Sequence, residues 1–280
     1  MRRRDLLAGA GALAVAGCAR QLMLTQDVAG RIKRVLPVVS FDETLAVEYS
    51  SGTIMLGTQP LQRVLLDRTE TTTAWGMNAR AAAVLAASMP PGIRAEKVVQ
   101  VAPALRARAD PTSTSRVPDP VMAQRLAALP EVADARAAGS VDAIMVVATT
   151  FGRGRPHRGL HAIGTYGATL ITVNRLVFAP LGSDLSLTYV VMLYEPTELA
   201  PLAFVVPSHA EDDGFPMGTG LPRATVDLTW RGGAWPPPGA AANEQLQAAA
   251  HRIIEESLPT SFAGLGLVPA PPSTRRLQLG

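Results

Sequence analysis

The 280-residue chain has one cysteine, Cys18, and two lysines, Lys33 and Lys97. A single cysteine excludes an internal disulfide and any Cys-x-x-Cys redox pair or multi-cysteine zinc site. With Cys18 modified, the mature domain holds no thiol, which also excludes a cysteine nucleophile. Aromatic residues make up 5% of the chain, few platforms on which bases could stack. The net charge is only +3, a small electrostatic basis for nucleic acid, and no such partner is expected. Beyond the N-terminus no apolar run reaches about eighteen residues, so no membrane-spanning helix is expected. Several motifs are also absent. There is no G-x-S-x-G, no S-x-x-K, no Walker sequence and no EF-hand spacing. The Gly9-Ala10-Gly11 stretch with Ala14 resembles a dinucleotide fingerprint but lies within a targeting segment. No cofactor is expected.

The chain does have a structured beginning, MRRRDLLAGAGALAVAGC. Arg2, Arg3 and Arg4 form a positive region, Leu6 to Val15 a short apolar region, and Val15-Ala16-Gly17 places small residues before Cys18. That order is a secretory signal, too short to span a bilayer. Val15-Ala16-Gly17-Cys18 resembles the lipobox of bacterial lipoprotein signal peptides. The resemblance implies cleavage between Gly17 and Cys18, a diacylglyceryl thioether on Cys18, and a further acyl chain such as palmitate on the new terminus. Two or three acyl chains anchor a protein stably where one does not. By resemblance to sorted lipoproteins, Ala19 after the cysteine implies the outer membrane, periplasmic face. Arg3-Arg4-Asp5-Leu6-Leu7 also resembles a twin-arginine export motif without its aromatic residue and following lysine, so the export route stays open. Removing residues 1–17 takes three Arg and one Asp, reducing 26 basic residues to 23 and 23 acidic residues to 22.

Periodicity supplies a coarse map of the rest. Val35 to Phe41 and Leu45 to Tyr49 read as strands, the second forming a hairpin with Thr53 to Gly57. Helical spacing predicts a helix over 71–89, stopped by Pro90-Pro91-Gly92. A strand is expected over Glu96 to Val101 and a loop over 103–118. Asp119-Pro120 opens a helical stretch over 119–138, interrupted by Pro130 and ended by Gly139. Val141 to Thr149 is nearly apolar on both faces, the mark of a central strand. Residues 151–167 read as a Gly- and Arg-rich loop, and Ala168 to Phe178 as a strand. Leu185, Leu187, Tyr189, Val191 and Leu193 alternate with a face that begins Ser186, Thr188, and Leu199 to Val206 returns beside them. Ala224 to Trp230 is a short strand. A closing helix over 243–258 ends at Pro259. No internal repeat is present.

These elements predict an α/β (α+β) fold, a single sandwich with an antiparallel-rich mixed sheet and helices near both ends. The expected organisation is a cleaved signal peptide over 1–17, a lipid-anchored tether over 18–34, a periplasmic domain over 35–262 and a flexible tail over 263–280. Arg125 to Val147, a helix running into AAGSVDAIMVV, and the strand-turn-strand over Leu185 to Phe204 resemble periplasmic α/β domains of envelope proteins. Examples are the curli-secretion lipoprotein and the amino-terminal domain of the Tol-system protein TolB. The resemblance lies in pattern and carries over no functional residue.

Four groups of residues bear on chemistry. The loop Phe151 to His161 holds Arg153, Arg155, His157 and Arg158 among glycines. Arginines recognise phosphate or carboxylate bidentately, so this is a candidate anion-binding segment, and a solvated connection fits the same composition. His157 and His161 stand four apart, but Pro156 and Gly159 oppose a helix and no Glu follows His157, so no metal site is expected. His209 with Glu211, Asp212 and Asp213 could hold Ca²⁺ through its carboxylates, serve acid–base chemistry or simply form a hydrated acidic loop. Trp230 and Trp235 flank Gly232-Gly233, suited to a glycan platform or to packing over a sheet end. His251 on the closing helix reads as a surface residue.

The leading expectation is a non-enzymatic, lipid-anchored envelope protein acting as a scaffold or accessory in cell-envelope or secretion-system assembly. It would meet the membrane through Cys18 and meet another envelope protein through its domain; the oligomeric state stays open. The first alternative is an exported binding protein for an anionic lipid or glycan through the 151–161 loop. The second is a periplasmic hydrolase using His209 with Asp212 or Asp213.

Overall fold

A computed structural model describes residues 21–42, 45–50, 75–101, 105, 120–154, 163–173, 182–207, 209–210, 219–220, 222–228 and 240–269. Its strands are β1 (Gln21–Leu22), β2 (Arg34–Ser40), β3 (Leu45–Ser50), β4 (Arg94–Ala95), β5 (Val99–Gln100), β6 (Ala143–Thr149) and β7 (Phe151–Gly154). They continue with β8 (Ile163–Val173), β9 (Gly182–Tyr194), β10 (Pro201–Val205), β11 (His209–Ala210), β12 (Thr219–Gly220) and β13 (Arg223–Val226). The helices are α1 (Gln26–Arg31), α2 (Met77–Ser88), α3 (Pro120–Ala127), α4 (Pro130–Ala138) and α5 (Ala240–Leu265). The fold is α/β, built on a mixed sheet.

The long strand β9 organises that sheet. Its C-terminal half pairs antiparallel with β6 (Val147 opposite Val191) and with β10 (Val205 opposite Val191). Its N-terminal half pairs antiparallel with β8 and β13. Parallel pairs complete the sheet: β2 beside β6, the short β4 and β5 along the outer edge of β2, and β3 beside β8. Period-two alternation divides the side chains between two cores. Met145, Val147, Leu187, Tyr189, Val191 and Leu193 face one core with α2 and α5. Ile144, Val146, Val190, Met192 and Tyr194 face the other with α3 and α4. Every residue of β6 is buried, as expected for a strand covered on both faces.

Several elements differ from the sequence expectation. The tether expected over 18–34 carries β1 and α1, because Gln21 and Leu22 add to the edge of β10 and Leu24 N donates to Leu265 O (2.9 Å). β3 pairs parallel with β8; residues 53–57, the other arm of the expected hairpin, lie outside the described residues. The 71–89 helix is seen over Met77–Ser88. As expected, the 119–138 stretch breaks at Pro130 into two helices, with Pro130 in the first turn of α4 and Gly139 ending it at φ 56°, a conformation that favours glycine. The 151–167 loop is partly a hairpin of β7 with the start of β8.

The closing helix passes through Pro259 and runs to Leu265, into the expected tail. A proline inside a helix costs about 3 kcal/mol. Leu258, Phe262 and Leu265 are all buried against the sheet, and each such side chain contributes about 1.5–3 kcal/mol. Packing therefore outweighs the broken bond. The hydroxyls of Ser257, Thr260 and Ser261 donate to Ile253 O, Ser257 O and Ser257 O, tightening the turn around the proline.

At the start of the central strands, Asp142 Oδ2 accepts from Lys33 N (2.9 Å) and Arg34 N (2.8 Å). Partial burial pushes its carboxyl up, but those two amides and the Arg34 guanidinium outweigh it and hold it below the usual carboxylate range. Glu195 behaves alike. Burial raises it, while Glu198 N, Thr197 and Arg136 together lower it. A depressed native pKa stabilises the fold above the unfolded value and ceases to do so as pH falls through the native one. Stability to urea is therefore expected to fall as pH drops below about 4. Asp142→Asn should cost about 1–2 kcal/mol at pH 7 and flatten that fall; an unchanged pH profile would contradict the assignment.

Candidate functional site

The two halves of β9 differ in chemistry on one face. Val190, Met192 and Tyr194 pack into the α3–α4 core, whereas Asp184, Ser186 and Thr188 continue the same face with polar side chains. All three are nonetheless buried, Ser186 and Thr188 completely. Strand register fixes their neighbours. Thr169 of β8 and Arg223 of β13 stand on either side of Ser186; Ile171 and Thr225 flank Asp184; Gly167 faces Thr188. Thr150 N donates to Thr188 O (3.3 Å), joining the end of β6 to this row.

Most of these polar groups have partners. Thr225 Oγ1 donates to Asp184 Oδ1 (2.8 Å), Ser40 Oγ accepts from Leu105 N (2.6 Å), and Thr149 Oγ1 accepts from Asp42 N (2.7 Å). Two do not: Thr169 Oγ1 and Ser186 Oγ, register partners on adjacent strands, are buried without a hydrogen-bond partner among the described residues. A buried, unpaired hydroxyl costs about 1–3 kcal/mol. Replacing Ser186 with Ala and Thr169 with Val is thus expected to raise stability by about 1 kcal/mol or more in total. A loss of stability in the urea midpoint would mean that the hydroxyls already bond to a group outside the described residues. Chemically, the row offers hydroxyl donors and acceptors beside a carboxylate, suited to holding a polar group by hydrogen bonds.

The β7–β8 hairpin springs from this polar end, with Phe151 opposite Tyr166 and Arg153 opposite Gly164. Arg153 thus sits on β7, opposite a position five residues before Thr169 on β8. Arg155, His157, Arg158 and His161 lie outside the described residues, as do Gly17 and Cys18. His209 stands on β11 opposite Gly220, in a separate two-stranded sheet; Glu211, Asp212, Asp213, Trp230 and Trp235 lie outside the described residues. No helix among the described residues is long and apolar enough to cross a membrane. None of their His, Cys, Asp and Glu side chains gather in threes as a metal site would require.

Comparison with family models, curated proteins and solved structures finds no match. The site therefore rests on its own geometry.

Two side chains have firmer structural roles than their sequence suggested. His251 is half-buried, and its Nε2 donates to Trp75 O (2.7 Å). Tyr189 is buried with its hydroxyl 2.6 Å from Ser257 Oγ, joining β9 to α5, and its ring meets Phe41 at 5.4 Å. Burial pushes its phenol upward, opposed by the hydrogen bonds to Ser257 and Ser261. The hydroxyl row was only half legible: Ser186 and Thr188 read as the polar face of a strand, a pattern that ordinarily marks a solvated surface.

At the opposite side of the sheet, β4 and β5 form an edge with no further strand paired to it among the described residues. Grooves of about 570 Å³ and 520 Å³ flank the Glu96-Lys97-Val98 segment, one reaching Glu131 and Asp134 of α4 and the other the end of α2.

Proposed function

We propose that this chain is a non-enzymatic, lipid-anchored protein of the cell envelope, cleaved before Cys18 and held by acylated Cys18 in the outer membrane, facing the periplasm. Its α/β domain serves as a scaffold or accessory in envelope or secretion-system assembly. The observation that carries this reading is the junction between anchor and fold. The positive, apolar and small-residue segments end at Cys18, and the sheet begins at Gln21. The β4–β5 edge, with its charged flanking grooves, supports contact with another envelope protein, since an open edge accepts an added strand. The test is fractionation of cells producing the wild type or Cys18→Ala. Wild type is expected in the outer membrane and released only by detergent, with Cys18→Ala in the soluble fraction. A soluble wild type overturns the proposal.

A second reading is favoured by the root of the β7–β8 hairpin. There Arg153 of β7 pairs with β8, and the sequence continues into Arg155, His157 and Arg158, residue types that suit a phosphate or carboxylate on a lipid or glycan. Replacing the three arginines with Ala should abolish salt-sensitive binding to anionic vesicles and leave the far-UV spectrum unchanged. Unchanged binding removes this reading.

A further inference from the structure

The edge formed by β4 and β5 is interrupted. Three steps along β2, Val35 to Val38, stand against four along the edge, Ala95 to Val99. The extra residue makes Glu96-Lys97-Val98 a bulge. On either side of it, Glu96 N donates to Val35 O (2.8 Å) and Val101 N to Val39 O (2.9 Å). In a parallel ladder that phase turns the backbone N–H and C=O of Ala95 and Gln100 away from β2. A bulge and an edge lysine oppose indiscriminate strand addition. Continuous pairing of a long strand is thereby blocked, and the β5 end keeps a short stretch of edge beside a groove.

That groove, of about 570 Å³, lies between the β5 end and α4. Leu36 and Val99, both buried, supply an apolar floor. Glu131 and Asp134 of α4 line one wall, and Glu96 and Lys97 the other. Three carboxylates thus meet one ammonium. Glu131 and Asp134 are exposed and make no hydrogen bond or ion pair among the described residues. Glu96 has only the distant Arg94 Nε, at 4.0 Å. None of these carboxylates belongs to a group that could hold a metal ion. Spread along an apolar groove, they suit cations carried on a chain.

We infer that the β5–α4 groove binds an extended segment of a partner protein that carries lysine or arginine next to apolar residues. An apolar side chain of that segment rests on the floor, its cations meet Glu131, Asp134 and Glu96, and its backbone bonds to Gln100. The bulge leaves specificity to these side chains rather than to a long strand ladder. The inference rests on the scaffold reading above and names the chemistry of the partner.

The probe is a displayed library of random short peptides, selected on the full chain in detergent. Selected sequences are expected to combine lysine or arginine with Val, Leu or Ile, and to bind less tightly as salt rises. Their affinity should fall about ten-fold when Glu131→Gln and Asp134→Asn are combined, changes that keep side-chain size on an exposed helix face. Gln100→Pro should also weaken binding, since proline removes the outward N–H and is tolerated on a sheet edge. Selected peptides without cationic residues, or unchanged affinity in the chain with both carboxamides, overturn the inference. The mass of the same protein reads the anchor separately. An unacylated chain that binds these peptides overturns the anchor reading alone, and an acylated chain that selects none overturns this inference alone.

Discussion

Trp75→Ala is expected to cost about 3–5 kcal/mol, a large part of the 5–15 kcal/mol typical of a whole domain. Trp75 is buried at the entry to α2, and its Nε1 donates to Asn243 Oδ1 (2.8 Å). Its carbonyl accepts from Gln247 Nε2 (3.1 Å) and His251 Nε2 (2.7 Å). One residue thereby fixes α2 to the first turns of α5. Arg80 and Glu255 form an ion pair further along the same two helices, but both are too exposed to contribute more than about 1 kcal/mol. Trp75→Phe keeps most of the apolar volume and leaves the Asn243 oxygen without its donor, so it should cost about 1–3 kcal/mol. The melting temperature of Trp75→Ala should fall by roughly 10 °C. A change below about 1 kcal/mol in urea unfolding would show that the helix pair does not depend on this contact.

The second large effect lies where α5 crosses β10. A Cβ added to Gly264 would stand 2.8 Å from Val205 Cγ2 and 3.3 Å from Val205 Cβ. An alanine normally favours a helix by about 1 kcal/mol over glycine, but overpacking costs about 1–3 kcal/mol. Val205 is β-branched, and its neighbours Val191 and Gln21 hold β10 from either side, so it has little room to yield. Gly264→Ala is therefore expected to destabilise. Val205→Ala should cost less in the Gly264→Ala background than alone, with a coupling of about 1 kcal/mol or more in a double-mutant cycle. Additivity within about 0.5 kcal/mol would contradict the close approach.

The strands that dominate the sheet were the legible ones. Leu185 to Leu193 is apolar at every second position, and Ala143 to Ala148 is apolar throughout, so the local pattern alone marks them as central. Pairing was another matter. Nothing near Leu45 to Tyr49 signals a parallel partner more than a hundred residues away; the local turn residues at Ser50-Ser51-Gly52 point instead to a hairpin. The same limit applies to β1, whose two residues gain strand structure only from the edge of β10. Pro259 misled for a different reason. A helix-breaking residue acts locally, while the burial of Phe262 and Leu265 that carries the helix past it is tertiary. At the candidate site, the Ser186–Thr188 alternation identified a polar face but not its burial, because the residues that bury a face lie elsewhere in the chain. The Arg-rich stretch read as a loop since its glycines lower strand propensity, yet Phe151 to Gly154 pairs with Ile163 to Tyr166.

The proposed anchor, by contrast, rests on sequence order, with Cys18 three residues before Gln21, where the sheet begins. The most direct measurement is the intact mass of the mature chain extracted from membranes. A chain that begins at Cys18 and carries a diacylglyceryl group plus an N-terminal acyl chain is the predicted result. A chain that begins at any other residue, or retains an unmodified thiol at Cys18, would contradict it.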